Sequence, residues 1–320
     1  MAYVDIAERR QLRRKLTFWR VAAFLVIAAA IVLVWSALWG GDVSGGKARD
    51  HIARVNISGL IQDDAELLER LDKIAKNDSV KAVIVSIASP GGTTYGGEVI
   101  YKAIRKIAEK KPVVSDVRTL AASAGYMIAI GGDYIVAGDT SITGSIGVIF
   151  QYPQVQNLLD KIGVSLEEIK SAPLKAEPSP FHTPPEAAKA VIQAMVDDTF
   201  DWFVTLVSER RHIPKPEALK LADGRVLTGR QALTAKLIDK IGGTKEIRDY
   251  LLSKKIAANL PIVDWEPQDS GSPFFLGGLA RDMAESVGLG WLTKLGSLKN
   301  LSEDKLLLDG MVSVWQFDGK

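Results

Sequence analysis

Hydrophobic and polar positions beyond residue 50 alternate between the spacing of strands and that of helices. The stretches HIARVNISGLI, VKAVIVSIASPGG and PVVSDV have the apolar runs or alternation of strands. Between them, DDAELLERLDKIAKN and GEVIYKAIRKIAEKK have apolar residues at helical spacing, and the first begins with acids and ends with lysines, as a helix dipole favours. This alternation predicts an α/β fold with a mainly parallel sheet and covering helices.

The pattern is less regular beyond residue 133. YIVAGDTSITGSIGVIF predicts two short strands around a turn, and SLEEIKSAPLKAEP predicts a strand that leads into a loop. VQNLLDKIG predicts a helix, and TPPEAAKAVIQAMVDDTFDWFVTLVSERR predicts a long helix with proline in its first turn. GRVLTGRQALTAKLIDKIGG predicts a short helix that ends at Gly242. The final apolar islands, separated by Gly and Ser, fit either helices packed on a neighbouring subunit or a mobile tail.

The N-terminal part has the features of a membrane anchor. Residues 21–39 carry no charge, and as a helix they would be about 28 Å long, close to the hydrocarbon thickness. Six Arg and Lys residues lie between residues 9 and 20, whereas residues 40–50 hold only two, which two aspartates offset. The positive-inside rule therefore predicts a cytoplasmic basic segment over residues 1–20, a single transmembrane helix over 21–39 and a body outside the cytoplasm. A cleaved signal peptide is the alternative, but SALWGG is a poor cleavage site.

Composition argues against several classes of function. The 320-residue chain has a net charge of +2 and no basic stripe interleaved with aromatic residues, so no nucleic-acid partner is expected. It contains no cysteine and three histidines, without an HExxH motif or a sequence cluster of histidines and carboxylates. We therefore expect neither a metal site nor a cofactor.

Two stretches rich in small residues carry candidate chemistry. In SPGGTTYGG, residues 89–97, a double glycine joins a strand to a helix, where free backbone N–H groups can bind an anion or a developing oxyanion. An ordinary turn between strand and helix is the alternative. In TLAASAGYMIAIGGDY, Ser123 lies near a predicted helix start among small residues, which let a substrate backbone come close. It is either a nucleophile or a helix N-cap.

A serine nucleophile needs a base, and the stretch KSAPLKAEPSPFHTPPEA offers one. Lys175 has Leu174 and Ala176 beside it and only Glu177 as a nearby charge. A lysine with an ordinary pKa near 10.4 is neutral in about four molecules in ten thousand at pH 7, but burial that lowers the pKa to about 7–8 makes it a competent base. His182, in the same proline-rich stretch, is a less persuasive base, and a solvated surface lysine is the alternative.

Together, SPGG, AASAGYMIAIGGD, TGSIGVI and KSAPLKAEPSPFHTPPE resemble the signal peptide peptidase A family, in its short, single-domain bacterial form. The resemblance runs from residue 51 to about residue 250. It implies a fold like those of ClpP and crotonase and assembly into a homo-oligomeric ring or dome. The chain departs from the family in the lysine loop, where Ala172 replaces a common glycine and AEPSPFHTPPE replaces a more charged stretch.

The resemblance also implies roles for individual residues. Ser123 matches the nucleophile, and Lys175, the second lysine of the K-S-x-x-x-K stretch, matches the general base. Ser145 of TGSIG matches a serine that orients the lysine amine. Gly91 and Gly92 match the pair whose amides bind the oxyanion, and no metal or cofactor is implied.

On this basis we expect residues 40–50 to be a flexible linker, residues 51–265 to form the peptidase domain and residues 266–320 to be a C-terminal extension. The expected function is a serine endopeptidase anchored in the bacterial inner membrane, with its body on the extracytoplasmic side. It would cleave remnant signal peptides, which are hydrophobic, through an acyl-enzyme. A non-catalytic membrane scaffold, a crotonase-like acyl-CoA enzyme and a ClpP-like protease with a histidine base are the alternatives.

Overall fold

A computed structural model describes residues 15–29, 31, 47–266 and 312–314. It divides into two units, residues 1–49 and residues 50–320. In the first unit, residues 15–29 and 31 are helical. Among the described residues, no helix combines the length and apolar character needed to cross a membrane. Residues 30 and 32–39 of the predicted membrane segment, most of the predicted linker and most of the predicted C-terminal extension lie outside the described residues.

The second unit alternates strands and helices through its first half, in the order β1 (His51–Ile61), α1 (Ala65–Lys76), β2 (Val80–Thr93), α2 (Thr94–Ala108), β3 (Val113–Ala122), α3 (Ala124–Ala129), β4 (Tyr134–Ala137) and β5 (Ile142–Gly144). Its further elements are α4 (Gln156–Ile162), α5 (Glu186–Arg211), α6 (Lys215–Leu221), β6 (Val226–Thr228), α7 (Gly229–Thr234), β7 (Lys240–Ile241), α8 (Thr244–Ser253), β8 (Ile262–Asp264) and β9 (Val312–Val314).

The described strands form one nine-stranded sheet. Its path is β6-β5-β3-β2-β1-β8, with β4 beside β3, β7 beside β4 and β9 on β2. The central pairs β1–β2, β2–β3 and β3–β5 are parallel, whereas β5–β6 and β2–β9 are antiparallel. The predicted α/β fold with a mainly parallel sheet and covering helices is confirmed.

The helices that follow β1 and β2 bury the residues that the helical spacing selects. In α1 and α2 these are Leu67, Leu71 and Ile74, then Ile100, Ile104 and Ile107. Asp64 begins α1 by accepting a hydrogen bond from the Leu67 N–H at 2.9 Å, as an N-cap does. Full burial of each such side chain contributes about 1.5–3 kcal/mol, so the apolar stripe holds the helix against the sheet.

The strand predicted in SLEEIKSAPLKAEP is wrong. The chain from residue 163 to residue 185 forms turns and loops. Lys170 bridges Glu168 and Glu177 within this segment, at 2.5 and 2.6 Å. Because these ion pairs draw the two sides of the stretch together, the chain curls on itself instead of extending along a sheet edge.

The helix predicted to end at Gly242 is also misplaced. It covers only Gly229–Thr234, and Lys240–Ile241 pairs with β4 as a short strand. The pattern could not reveal this because β4 supplies the pairing partner from a distant part of the chain. Sequence analysis also left α6, α8 and β8 unassigned.

Candidate active site

Ser123 occupies the sharp turn between β3 and α3. Its backbone has φ 57° and ψ −118°, and the residue is 1% exposed. Residues other than glycine rarely adopt such a conformation, which costs about 1–3 kcal/mol and persists only where the surroundings enforce it. Ser123 stands at the N-cap position of α3, but its side chain makes no capping hydrogen bond to that helix. The capping alternative therefore does not explain this serine.

The backbone around Ser123 is held from both sides. The Ser123 N–H donates to the Gly144 carbonyl at 2.8 Å, and the Met127 N–H donates to the Ser123 carbonyl at 2.9 Å. Every residue of α3 is buried. Within it, the Tyr126 hydroxyl donates to the Leu237 carbonyl at 2.8 Å, and burial raises the pKa of this phenol. Tyr126 of the AASAGY motif is therefore a structural support for the turn.

The far end of α3 is fixed by two arginines. Arg210 of α5 donates from Nε to the Ile130 carbonyl and from Nη2 to the Gly132 carbonyl, each at 2.9 Å. Arg105 of α2 donates to the Gly131 carbonyl, also at 2.9 Å. Ile130 is the C-cap of α3 and the two glycines follow it, so these cations satisfy carbonyls just beyond the helix end and complement its dipole. These contacts hold the short helix, and with it Ser123, against two longer ones.

Ser145 lies directly beside the Ser123 turn. In the parallel pairing of β3 with β5, Ala122 stands opposite Gly144, and the Ser123 N–H donates to the carbonyl of Gly144, the residue before Ser145. Ser145 is buried with φ 52°, and its N–H donates to the Arg225 carbonyl at 2.7 Å. The two serines that the motifs single out are thus brought together.

The SPGG motif lies beside the same turn, within the last residues of β2 (Val80–Thr93), so the double glycine is part of the strand and not the predicted joint between strand and helix. Gly91 has φ 113°, and a Cβ added to Gly92 would lie 1.9 Å from the Ile61 carbonyl oxygen, so only glycine fits there. A Cβ added to Gly125 of α3 would lie 2.9 Å from the Ser89 carbonyl oxygen. The close approach of Gly125 to Ser89 places the start of the SPGG motif against the start of α3.

Ser89 is a site residue that sequence analysis missed. It is fully buried, and its hydroxyl donates to the Gly59 carbonyl at 2.7 Å and accepts from the Gly91 N–H at 3.1 Å. It therefore ties the end of β2 to the chain at Gly59 and engages the Gly91 amide. Its position at the head of the SPGG motif was the signal that could have identified it.

Lys175, unlike these buried groups, is exposed and lies in a turn. The backbone N–H of Lys175 donates to the Ala172 carbonyl at 3.1 Å. The expectation that burial surrounds this lysine is wrong for the single chain, because its neighbour Leu174 is itself exposed and leaves the amine facing water. The chain thus gathers Ser123, Ser145 and the SPGG end of β2, and it leaves Lys175 exposed.

Lys170 and His182, the other basic residues of the lysine loop, belong to a polar cluster. Lys170 hydrogen-bonds to Glu168 and Glu177, which raises the pKa of its ammonium. His182 Nε2 lies 3.2 Å from Glu177 and 3.4 Å from Glu168. This histidine and carboxylate cluster was absent from the sequence expectation because the three residues meet only in space. The Lys170 ammonium stands between the carboxylates, in the place a cation would take.

The part of β2 that follows Ser89 has a paired strand on each side. On one side, Leu60 and Ile61 of β1 stand opposite Gly91 and Gly92. On the other side β9 runs antiparallel, with Val314 opposite Gly91. Since β1 fills the first side, β9 lies on the side of β3, the strand that ends one residue before Ser123. An extended segment of the chain therefore runs beside the start of α3.

Comparison with known proteins agrees with the resemblance carried by the four motifs. Profiles of peptidase family S49 and of Clp protease match residues 105–257 and 53–137. The putative signal peptide peptidase SppA of Enterococcus faecium is 33% identical over 258 residues, 76% of this chain and 74% of that protein. A putative protease of Methanocaldococcus jannaschii is 33% identical over 281 residues, 81% of this chain and 89% of that protein. The chain therefore belongs to peptidase family S49, the signal peptide peptidase A family of serine peptidases.

Proposed function

We propose that the chain is a membrane-anchored serine endopeptidase in which Ser123 is the nucleophile and Lys175 the general base. The observation that carries the proposal is the antiparallel pairing of β9 with residues 91–93, beside the turn that bears Ser123. An extended peptide in that place would present a carbonyl group to the serine. The same edge of β2 would bind substrates in extended conformation.

Binding by strand addition also indicates the substrate class. Main-chain hydrogen bonds provide affinity that is independent of sequence, and every second side chain of the added strand enters the site. The small residues on either side of Ser123 suit a hydrophobic, extended peptide such as a remnant signal peptide, and the name of the Enterococcus faecium relative points the same way.

The proposed chemistry follows the general course of acyl transfer. The neutral Lys175 amine takes the proton from Ser123 Oγ, which attacks the substrate carbonyl carbon. The amides of Gly91 and Gly92 hold the resulting oxyanion, for which the Gly91 N–H would have to leave the Ser89 hydroxyl. The intermediate expels the leaving amine, which takes the proton from Lys175. The Lys175 amine, neutral again, then takes a proton from water, which attacks the Ser123 ester. The acyl group leaves as an acid, and Lys175 returns the proton to Ser123 Oγ.

The two lysines of the loop differ in whether they pair with carboxylates. Lys170 has a raised pKa because it hydrogen-bonds to Glu168 and Glu177, and a lysine that holds its proton cannot act as a base. Lys175 has no carboxylate partner among the described residues. Ser145, level with Ser123, is the proposed partner that orients the Lys175 amine.

The exposure of Lys175 supports assembly into a homo-oligomer. A lysine that acts as a base needs burial, and the single chain leaves Lys175 exposed. A neighbouring copy seated on the segment around Lys175 would supply it and would bury the exposed apolar residues of that segment: Ile149, Leu158, Ile162, Val164, Leu166, Ile169, Leu174 and Phe181. We therefore include in the proposal assembly into a closed ring or dome, in which Lys175 of one copy is the base for Ser123 of the next copy.

The membrane anchor is the remaining part of the proposal. It rests on the uncharged stretch of residues 21–39 and on the basic residues that precede it. An anchor of this orientation would hold the peptidase unit on the extracytoplasmic side of the bacterial inner membrane, where remnant signal peptides leave the bilayer.

The anchor predicts how the chain fractionates. The full chain is expected to stay with the membrane pellet after washing with alkaline carbonate, whereas a chain without residues 1–46 is expected in the supernatant. Residues 1–46 are suited to this deletion because β1 begins only at His51. Release of the full chain by carbonate would contradict the anchor and leave the peptidase proposal intact.

Pairing of β9 with the proposed substrate edge predicts competition. Removal of residues 312–320 is expected to lower KM for an apolar peptide by about threefold or more with kcat unchanged, because a tethered strand competes at high effective concentration. A synthetic peptide of residues 311–320 is expected to inhibit the truncated enzyme competitively, and a scrambled peptide is not. An unchanged KM together with no inhibition would mean that substrates bind elsewhere.

A further inference from the structure

Four polar side chains draw together the chain on either side of Lys175, and we call them the lysine clasp: Glu168, Lys170, Glu177 and His182. The Lys170 Nζ lies 2.5 Å from a Glu168 oxygen and 2.6 Å from a Glu177 oxygen. One ammonium therefore bridges two carboxylates that stand on opposite sides of the turn over residues 171–176. His182 closes the group, with Nε2 3.2 Å from the same Glu177 oxygen.

Glu177 is the best-fixed member of the clasp. Its side chain is 3% exposed, against 20% for Lys170. Its second carboxylate oxygen accepts from the Ser179 N–H at 3.1 Å, so both oxygens are engaged. The Ser179 hydroxyl in turn donates to Glu168 at 3.4 Å and accepts from the Phe181 N–H at 3.3 Å. A buried carboxylate with these partners holds the backbone that immediately follows Lys175.

The residue between Lys175 and Glu177 is held in an unfavourable conformation. Ala176 has φ 63°, a left-handed value that costs a residue with a Cβ about 1–2 kcal/mol. Such conformations persist where neighbouring contacts enforce them. Here the Glu177 side chain is fixed in the clasp, and the backbone N–H of Glu177 donates to the Leu174 carbonyl at 3.3 Å. The clasp and the turn together set the direction in which Lys175 leaves the backbone.

The Glu168, Lys170 and Glu177 side chains of the clasp stay ionised at the pH at which a lysine base would work. Its hydrogen bonds lower the pKa of Glu168 and Glu177, so their contribution to stability is present above the ordinary glutamate pKa and is lost as pH falls through the lowered values. Because the pKa of Lys170 is raised, its contribution to stability is fully present below the ordinary lysine pKa and is lost as pH rises through the raised value. Between these limits the ion pairs are intact.

We propose that the lysine clasp positions the Lys175 amine, and that Lys170 and Glu177 are positioning residues that act through the backbone of the turn. The inference rests on the proposed function, since it takes Lys175 as the base. It accounts for both lysines of the K-S-x-x-x-K stretch, because one holds the loop and the other does the chemistry. Supporting shells of this kind keep a reactive group within the narrow geometry that catalysis requires.

Lys170→Ala tests the proposal. We expect kcat to fall about tenfold or more while KM changes by less than about twofold, because a misplaced base slows chemistry without weakening substrate binding. The limb of the kcat/KM profile that reports the base is expected to move to higher pH, because a loosened amine is better solvated. Lys170→Arg is expected to restore most of kcat, since a guanidinium also bridges two carboxylates.

Three further variants make the result decisive. Glu177→Gln keeps the side-chain shape and is expected to reproduce the loss if Lys170→Ala fails to fold. Lys189→Ala removes a lysine that pairs with Glu186 at 2.7 Å outside the clasp, and it is expected to match the wild type. Wild-type kcat and pH profile in Lys170→Ala and Glu177→Gln, with an inactive Lys175→Ala, would overturn the clasp alone. An active Lys175→Ala would instead overturn the proposed base.

Discussion

Ser123→Ala is expected to remain folded and to hydrolyse peptides about 10⁴-fold or more slowly than the wild type, as is usual when a serine nucleophile is removed. The substitution removes one buried hydroxyl and keeps the Cβ that the turn between β3 and α3 already accommodates. Binding is expected to survive because the strand edge at residues 91–93 does not depend on the Ser123 side chain. The expected signature is therefore a lost kcat with a retained Kd for a peptide.

The backbone of Ser123 supplies a second, independent readout. Its φ of 57° strains alanine as much as serine but suits glycine. Ser123→Gly is therefore expected to be as inactive as Ser123→Ala and more stable in denaturant unfolding by about 1 kcal/mol. Greater stability in an inactive variant would indicate that the wild type keeps a strained turn for the sake of its hydroxyl.

Both variants are assayed with a fluorogenic apolar peptide and with a fluorophosphonate probe. The probe is expected to label the wild type at Ser123 and to leave both variants unlabelled. Ser58→Ala, an exposed serine on β1, is the matched control and is expected to react like the wild type. Labelling or hydrolysis that survives in Ser123→Ala would exclude this residue as the nucleophile. A wild type that reacts with neither reagent would favour a non-catalytic scaffold.

The alternating part of the chain could be predicted because local and global preferences agree there. From His51 to Ala122 each strand or helix has its own period, and the sheet simply collects them in a parallel order. The turn segment from residue 163 to residue 185 could not be predicted in this way. Its course depends on ion pairs between residues up to seven positions apart, which no hydrophobic period records.

The candidate site, like the fold, could be predicted only in part from the sequence. Motifs selected Ser123, Ser145 and the double glycine, and the parallel register of β3 with its neighbours brings them together. The unusual backbone angles of both serines could not be predicted, because they are imposed by contacts with β5 and with the chain near Arg225. The exposure of Lys175 was equally hidden, since apolar sequence neighbours bury a side chain only when they are themselves covered.

Lys175→Ala and Lys175→Arg are both expected to lose activity by about 10³-fold or more, although arginine keeps the length and the charge of the side chain. Arginine remains protonated at any working pH, so it cannot take the Ser123 proton. A role in which Lys175 only attracts an anionic group would predict near wild-type activity for Lys175→Arg, and that result would contradict the base. The wild-type kcat/KM is expected to rise with pH until the base has lost its proton.

Mixing two inactive variants tests where the base comes from. If Lys175 of one copy serves Ser123 of the next, random co-assembly of Ser123→Ala with Lys175→Ala gives about a quarter of the sites one intact serine and one intact lysine, by the geometry of a closed heterologous ring. Activity near that fraction is therefore expected after co-refolding, and none when the variants are mixed below the assembly concentration. Absence of recovery in a mixture shown to co-assemble would assign both groups to a single copy. The exposed turn that carries Lys175 would then have to approach Ser123 of the same chain before any proton is transferred.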